Sequence, residues 1–445
     1  MSDPVRFPAG FIFGAATSAY QIEGSPLAEG AGLSNWHAFS HTPGRITNGD
    51  TGDVACDHFH CAPADVQLMR RLGIMSYRFS ISWSRILPSG RGAVNAAGLA
   101  FYDRLVDALL ANGIAPMATL YHWDLPAALD DRGGWLNRDI ASWFADYASV
   151  VVRVLGDRVP TWTTINEPWV ISDAGYLHGI HAPGHMSSAE TPVVSHNLLR
   201  AHGAAMQAIR AEGGRQAGLV VNLEPKYPAS ESAADLAATA RADAYFNRQF
   251  LDPVFFGHYP EELAAIFGSD WPAFPPGDFD LIRQPLDYLG INYYTRQVVR
   301  NDPSERPVGA GRVRQDQRLH TALDWEVYPQ GLTDVLVWVR DRYGNIPLII
   351  TENGAALEGP DGIDDPLRVA YLHDHLLAAC AAIAEGVDLR GYFVWSLLDN
   401  FEWSNGYSKR FGLYHVDFET QVRTPKSSAA FYAEVIRTHG QSLGR

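Results

Sequence analysis

The chain has 445 residues, a net charge of -15, and 47% hydrophobic against 19% charged residues, which is ample material for a globular core. The acidity argues against nucleic acid as a partner, because phosphates require basic surfaces. No run of about 18 apolar residues is present to cross a bilayer.

Three cysteines, Cys56, Cys61 and Cys380, cannot build a disulfide framework. The opening Met1-Ser2-Asp3-Pro4 lacks the basic-then-apolar pattern of a secretory leader, so a cytoplasmic location is expected. His58 and His60 flank Cys61, but neither a CxxC pair nor HExxH accompanies them, and no metal or cofactor is expected. Whether the chain forms a homo-oligomer is left open.

Strand-like and helix-like patterns alternate from the start. A strand is predicted over 11–16, then a helix from about 63 with Pro63 in its first turn and Val66, Met69 and Leu72 on one face before Gly73. The next strand, 76–81, precedes a helix that begins near Asn95, carries Leu99, Tyr102, Leu105, Val106 and Leu109 on one stripe, and stops at Asn112-Gly113. A strand over 115–121 leads to a helix capped by Asn137, with Ile140, Trp143, Phe144, Tyr147, Val150, Val151 and Val154 inward and Gly156 at its end. Strands follow at 161–166, 217–223 and 286–292, separated by helical patterns at 192–211 and around 241–250. An irregular loop over 295–325 breaks the rhythm, and loops of that length usually carry function. A helix over 329–342 and a strand over 347–351 come next. A helix opened by Asp365 as cap and Pro366, and closed by Gly386, then precedes a strand over 391–396 and a final helix over 427–438. Eight strands, most followed by a helix, with no linker or composition shift, argue for one (β/α)8 barrel forming a single catalytic domain, 1–445, with long βα loops. A doubly wound sheet would want a glycine-rich phosphate loop after an early strand, and no such motif occurs.

Two of these strands end on a carboxylate: Thr164-Ile165-Asn166-Glu167-Pro168 and Ile349-Ile350-Thr351-Glu352-Asn353-Gly354. The C-terminal ends of barrel strands are where such folds do chemistry, and two carboxyls presented there are the minimal equipment for cleaving a glycosidic bond. Other strand ends add Gln21 and Glu23, Arg78, His122-Trp123-Asp124, Asn292 and Tyr294, Trp395, and Glu402-Trp403. Each alone has an ordinary structural use as a cap, an ion pair or core filling. Their gathering on one barrel face is harder to explain that way. Twelve Trp and 19 Tyr also exceed what a core needs, and aromatic faces stack on the C–H faces of sugar rings.

The pattern resembles glycoside hydrolase family 1, the β-glucosidase family, over nearly the whole chain. The resemblance is carried by Phe11-Ile12-Phe13-Gly14-Ala15-Ala16-Thr17-Ser18-Ala19-Tyr20-Gln21-Ile22-Glu23-Gly24, Tyr77-Arg78-Phe79-Ser80-Ile81-Ser82-Trp83-Ser84-Arg85, Leu120-Tyr121-His122-Trp123-Asp124-Leu125-Pro126, Asn166-Glu167-Pro168, Asn292-Tyr293-Tyr294, Thr351-Glu352-Asn353-Gly354, and Trp395 to Trp403. It implies Glu167 as general acid/base and Glu352 as nucleophile of a retaining double displacement. Arg78 and Tyr294 would hold Glu352 as an anion. Substrate contacts are implied for Gln21, His122, Asn166, Tyr294, Trp395, Glu402 and Trp403. Supporting places are implied for Arg78, Asn292, Trp123, Trp325 and Phe411, with Trp325 as a platform for the leaving group. Trp169, His178 and Tyr407 are further candidates for the entrance, and a cis bond is implied at Trp395-Ser396. The expected substrates are cellobiose, short cello-oligosaccharides and aryl β-glucosides, with β-galactosidase, β-fucosidase and transglycosylation as side activities. Relatives that take 6-phosphorylated sugars replace the Glu-Trp pair, so Glu402-Trp403 points to unphosphorylated sugars, and Lys409 is expected to be a solvated surface lysine. A phospho-β-glycosidase and a sugar-binding member without catalysis remain the alternatives.

Overall fold

The computed structural model describes residues 6–357 and 362–444, so the opening Met1-Ser2-Asp3-Pro4 lies outside the described residues. Eight parallel strands close a barrel: β1 (Ile12–Ala16), β2 (Ser76–Ser80), β3 (Ala115–Tyr121), β4 (Thr161–Asn166), β5 (Gln216–Asn222), β6 (Tyr288–Asn292), β7 (Leu348–Asn353) and β8 (Leu389–Trp395). They are paired in chain order, and β8 returns to β1 in the register Ala16↔Trp395. The strands are buried along almost their whole length, so they read as continuous apolar runs rather than alternating ones. Helices α1 (His58–Leu72), α2 (Ala96–Ala111), α3 (Ile140–Leu155), α4 (Glu190–Ala211), α5 (Gln249–Phe256), α6 (Gln330–Tyr343), α7 (Pro366–Ala384) and α8 (Ser427–Thr438) cover the outside. The expected (β/α)8 barrel is what the chain forms. No described helix is long and apolar enough to cross a membrane.

Inside the barrel an apolar plug contains Met117, Tyr288, Ile349, Phe393 and Trp395. Layers of inward side chains are how such a barrel fills its interior. The Tyr288 hydroxyl is satisfied there by the Trp162 carbonyl at 3.0 Å and pairs with Thr163 Oγ1 at 2.7 Å. Polar residues at the C-terminal strand ends stand on this plug.

Five local expectations are corrected. Helix α1 begins at His58, so Pro63 lies inside it rather than in the first turn; Asp57, in the left-handed region, turns the chain into the helix and accepts from the amides of His60 and Cys61. Asn137 does not cap α3; a 3-10 turn over Gly134–Leu136 intervenes, Asp139 takes the cap position, and the Asn137 side chain instead accepts from the Asp139 amide. Val154 on α3 is exposed. Asp365 stands at the start of α7, but its carboxylate accepts from the Ser428 amide at 2.8 Å and from Arg368, so it caps α8 across the barrel surface instead. The stretch read as an irregular loop contains strands Gln297–Asn301 and Ala310–Arg312, which pair with each other, and Gln297–Asn301 also pairs with Lys226–Pro228 to make a small three-stranded sheet.

Candidate active site

Both strands that end on glutamate slip register just before it. The β4–β5 ladder shifts between Thr163 and Asn166, and the β7–β6 ladder between Ile350 and Glu352. A bulge of this kind re-aims the side chains that follow it. Glu167 then sits at φ 47, in the left-handed region, and Pro168 opens a short helix behind it. Trp123 (φ 85) and Trp403 (φ 50) share that strained backbone, and all three line one cavity. Residues held this way cost on the order of 1–3 kcal/mol each and persist only where the surroundings fix them. On β7, Gly354 follows Glu352 because a Cβ there would meet the Trp395 carbonyl oxygen at 1.7 Å. The Trp395–Ser396 peptide is cis.

The cavity, about 370 Å³, opens at the C-terminal face of the barrel. His122, Trp123, Glu167, Asn292, Tyr294, Trp325, Glu352, Trp395, Glu402, Trp403 and Phe411 line it. Arg78, Asn166 and Gln21 do not: they are fully buried one layer behind. Arg78 gives Nη1 to Glu352 Oε1 at 2.5 Å and Nη2 to Asn166 Oδ1 at 2.6 Å. The Tyr294 hydroxyl donates to the other Glu352 oxygen at 2.6 Å. Asn292 donates to Glu167 Oε1 at 2.8 Å and to Asn166 Oδ1 at 3.1 Å, while its own oxygen accepts from Thr351 at 2.7 Å. With Oδ1 occupied by two donors, the Asn166 amide nitrogen faces His122 Nε2 at 3.2 Å. Burial, and then Arg78, hold the His122 imidazole neutral, far below its usual range.

The two glutamates receive unequal support. Burial raises both. Glu352 is pulled back by Arg78, by Tyr294 and by Asn292. Glu167 is raised further by the charge of Glu352, and its direct donor is the Asn292 amide, so its carboxyl is pushed up to about 8. The proton of the pair therefore rests on Glu167 and the charge on Glu352. Such a pair offers an acid and a nucleophile within one cavity, which is what transfer at a sugar's anomeric carbon requires.

A wall of rings surrounds the pair. His122 stacks between Trp395 (5.8 Å) and Trp403 (5.9 Å), and Trp123 packs on Trp403 at 4.5 Å. Tyr294, Trp325 and Phe411 form a second cluster across the mouth, with Tyr294–Trp325 at 5.1 Å. Glu402 sits in the first wall and is also pushed up to about 8, by burial and by the charge of Glu352, with Gln21 opposing. Gln21 Nε2 lies 3.4 Å from Glu402 and bonds the Phe401 carbonyl and Asn400 more closely, while Ser18 donates to its oxygen at 2.6 Å.

Among the entrance candidates, Trp169 lines the cavity. His178 instead faces Asp173 at 3.7 Å, and Tyr407 packs on Phe401 and Phe418 with its hydroxyl on the Thr51 carbonyl, so neither reaches the cavity. Lys409 is partly exposed and does not line it. Sequence reasoning missed His181, Asn222, Glu224, Phe246, Arg312 and Asn405, all of which do. Asn222 and Glu224 stand at and just after the end of β5, so the strand-end rule could have found them. His181 and Arg312 come from βα loops whose course no periodicity fixes.

The chain matches the family model described as glycosyl hydrolase family 1 over residues 4–441. It is 47% identical over 442 residues to beta-glucosidase A of Thermotoga maritima, covering 98% of each chain. It is 46% identical to a bifunctional beta-D-glucosidase/beta-D-fucosidase of Bifidobacterium breve, covering 97% of this chain and 98% of that one. A solved Thermotoga maritima family 1 glycoside hydrolase, complexed with a cyclophellitol analogue transition state mimic, superposes with a TM-score of 0.96 at 47% identity, over 98% of this chain and 99% of that one.

Proposed function

This chain belongs to glycosyl hydrolase family 1, and from that premise we propose that it is a retaining β-glucosidase with Glu352 as nucleophile and Glu167 as acid/base. The observation that carries the reading is the unequal pair, with Glu352 saturated by Arg78 and Tyr294 beside a Glu167 whose burial and neighbour keep it protonated. In the first half-reaction Glu352 attacks the anomeric carbon, the bond to the leaving oxygen breaks, and that oxygen takes the Glu167 proton. The ester so formed removes the charge on Glu352, which lowers the pKa of Glu167. Glu167 then accepts a proton from water, whose oxygen attacks the same carbon and releases Glu352. Asn292 supports this exchange because its amide donates to Glu167 and favours the anion that forms.

The glucosyl ring would stack on Trp395, with Glu402, Trp403, His122 and, after shifts of their amides, Gln21 and Asn166 taking the hydroxyls, Asn166 the 2-hydroxyl. Trp325 and Phe411 would receive the leaving group. Cellobiose, short cello-oligosaccharides and aryl β-glucosides fit a cavity of this size and aromatic content. The glucosidase/fucosidase relative supports acceptance of β-fucosides as well. Among the described residues lining the cavity, Arg312 is the one permanent cation, and it comes from the strand Ala310–Arg312 rather than from the wall around Glu402. No other lysine or arginine among the described residues lines the cavity to neutralise a 6-phosphate.

The test pairs 4-nitrophenyl β-glucoside with its 6-phosphate and follows the anomer released by proton NMR. Turnover of the unphosphorylated sugar with initial release of β-glucose is expected. Initial release of α-glucose would refute retention, and preference for the phosphate would refute the reading of Glu402.

A further inference from the structure

The helix Asn35–Ser40 carries His37, and His41 follows at its C-cap, so an i, i+4 histidine pair shares one face. Their rings lie 4.2 Å apart. Asp53, from the loop that follows, brings one carboxylate oxygen to 3.1 Å from His41 Nε2 and the other to 3.5 Å from His37 Nδ1. One donor atom from each of the three residues can be chosen so that all three lie within 4.8 Å of one another. Ligands about 2.0–2.1 Å from a tetrahedral zinc are roughly 3.3 Å apart, and the two measured separations bracket that value.

The hydrogen-bond pattern accommodates an ion as well as plain ion pairs. His41 Nδ1 is 2.7 Å from the His37 carbonyl, which can only accept, so Nδ1 carries the proton. The Nε2 of a neutral His41 then turns a lone pair toward the Asp53 carboxylate. A second proton on His41 would relieve that contact alone. His37 Nδ1 and Asp53 Oδ1, both buried and without a hydrogen-bond partner, face each other at 3.5 Å, where a proton on His37 would give only a long ion pair. One cation among the three satisfies all of them. A ligating histidine that gives its other N–H to a backbone carbonyl is the arrangement metal sites use to fix ring and tautomer.

We propose that His37, His41 and Asp53 form a three-ligand site for a borderline divalent transition ion such as zinc, clasping the helix Asn35–Ser40 to the loop containing Asp53. Two imidazoles and one carboxylate favour zinc, nickel or copper over calcium and magnesium, which want oxygen ligands. The clasp lies behind the sugar wall. Trp36 on the same helix packs on Trp403 at 4.5 Å, and Asp50, in the same loop as Asp53, accepts from the Tyr407 amide at 2.9 Å. An ion here would tie down the segments that buttress Glu402 and Trp403. The histidines noted in the sequence beside Cys61 are engaged elsewhere, His58 with Asp65 at 2.8 Å and His60 with Asp57 at 2.6 Å.

The test uses untagged, chelator-treated full-length protein, titrated with zinc chloride by calorimetry and with cobalt chloride by visible absorption. One saturating equivalent, an intense tetrahedral cobalt band, and a thermal midpoint that rises with zinc are expected. Affinity should fall about tenfold or more in His41→Gln and in Asp53→Asn, each shown to be folded by circular dichroism. Absence of saturable zinc binding would overturn the proposal. So would binding of equal strength in both variants, which would place the ion on other histidines.

Discussion

The floor and the wall of the cavity are built by different means. Arg78, Asn166, Glu167, Asn292 and Glu352 stand on or next to the ends of β2, β4, β6 and β7, and each is tied to another of the set by hydrogen bonds of 2.5 to 3.1 Å. The wall, from His181, Trp325, Glu402, Trp403 and Phe411, comes from loops, and its rings are held mainly against one another, while Arg312 joins it from the strand Ala310–Arg312 and pairs with Asp324. The floor therefore fixes charge and proton position, where a small displacement matters most. The wall fixes shape, and single rings there are worth far less.

The largest expected effect lies on the floor. Glu352→Ala should lower kcat by roughly 10⁴-fold or more, and azide should restore turnover while giving the inverted α-glycosyl azide; a variant not rescued would remove Glu352 from the nucleophile's place. Glu167→Ala should cost about 10²–10⁴-fold on cellobiose, whose leaving group needs a proton, and much less on 4-nitrophenyl glucoside; equal losses in stopped-flow and steady-state assays would break the acid assignment. The alkaline limb of kcat/KM should lie near pH 8, where Glu167 loses its proton. In Glu352→Gln the charge that raises Glu167 is gone, so its pKa should fall, which carbon-13 NMR of labelled glutamate can read directly. The smallest effect belongs to the wall. Trp325→Ala should raise KM for aryl glucosides by about 2- to 10-fold with little change in kcat, the worth of one aromatic contact. A large loss of kcat there would mean that floor and wall are not separable.

The same division decided what could be read from the sequence. Each floor residue is at or within two residues of a strand end, and a strand of five to seven buried residues announces itself by composition. The eight strands and their helices were legible for that reason. Arg312 was not, because Ala310–Arg312 is a three-residue strand formed by antiparallel pairing with Gln297–Asn301, which in turn pairs with Lys226–Pro228, and a strand that short carries no periodicity to announce it. Asp365 was placed correctly at the start of a helix, but its carboxylate serves Ser428, 63 residues away in sequence. Gln21 shows the same limit: the motif locates the residue, whereas Ser18, Asn400 and Phe401 decide where its amide points.

The Arg78 guanidinium has a stereochemical consequence. Its two nitrogens bond Glu352 and Asn166, so on the proposed assignment the point of attack on C1 and the seat of the 2-hydroxyl would be spaced by the dimensions of a single planar group. On the proposed assignment the sugar is gripped along its C1–C2 edge, and the opposite edge meets a loop-borne carboxyl and indole. Inversion at C2, as in a mannoside, should be rejected by that plane, whereas inversion at C4 changes a hydroxyl that faces the more adaptable side. Epimer selectivity in this pocket should therefore be steep at one end of the ring and shallow at the other.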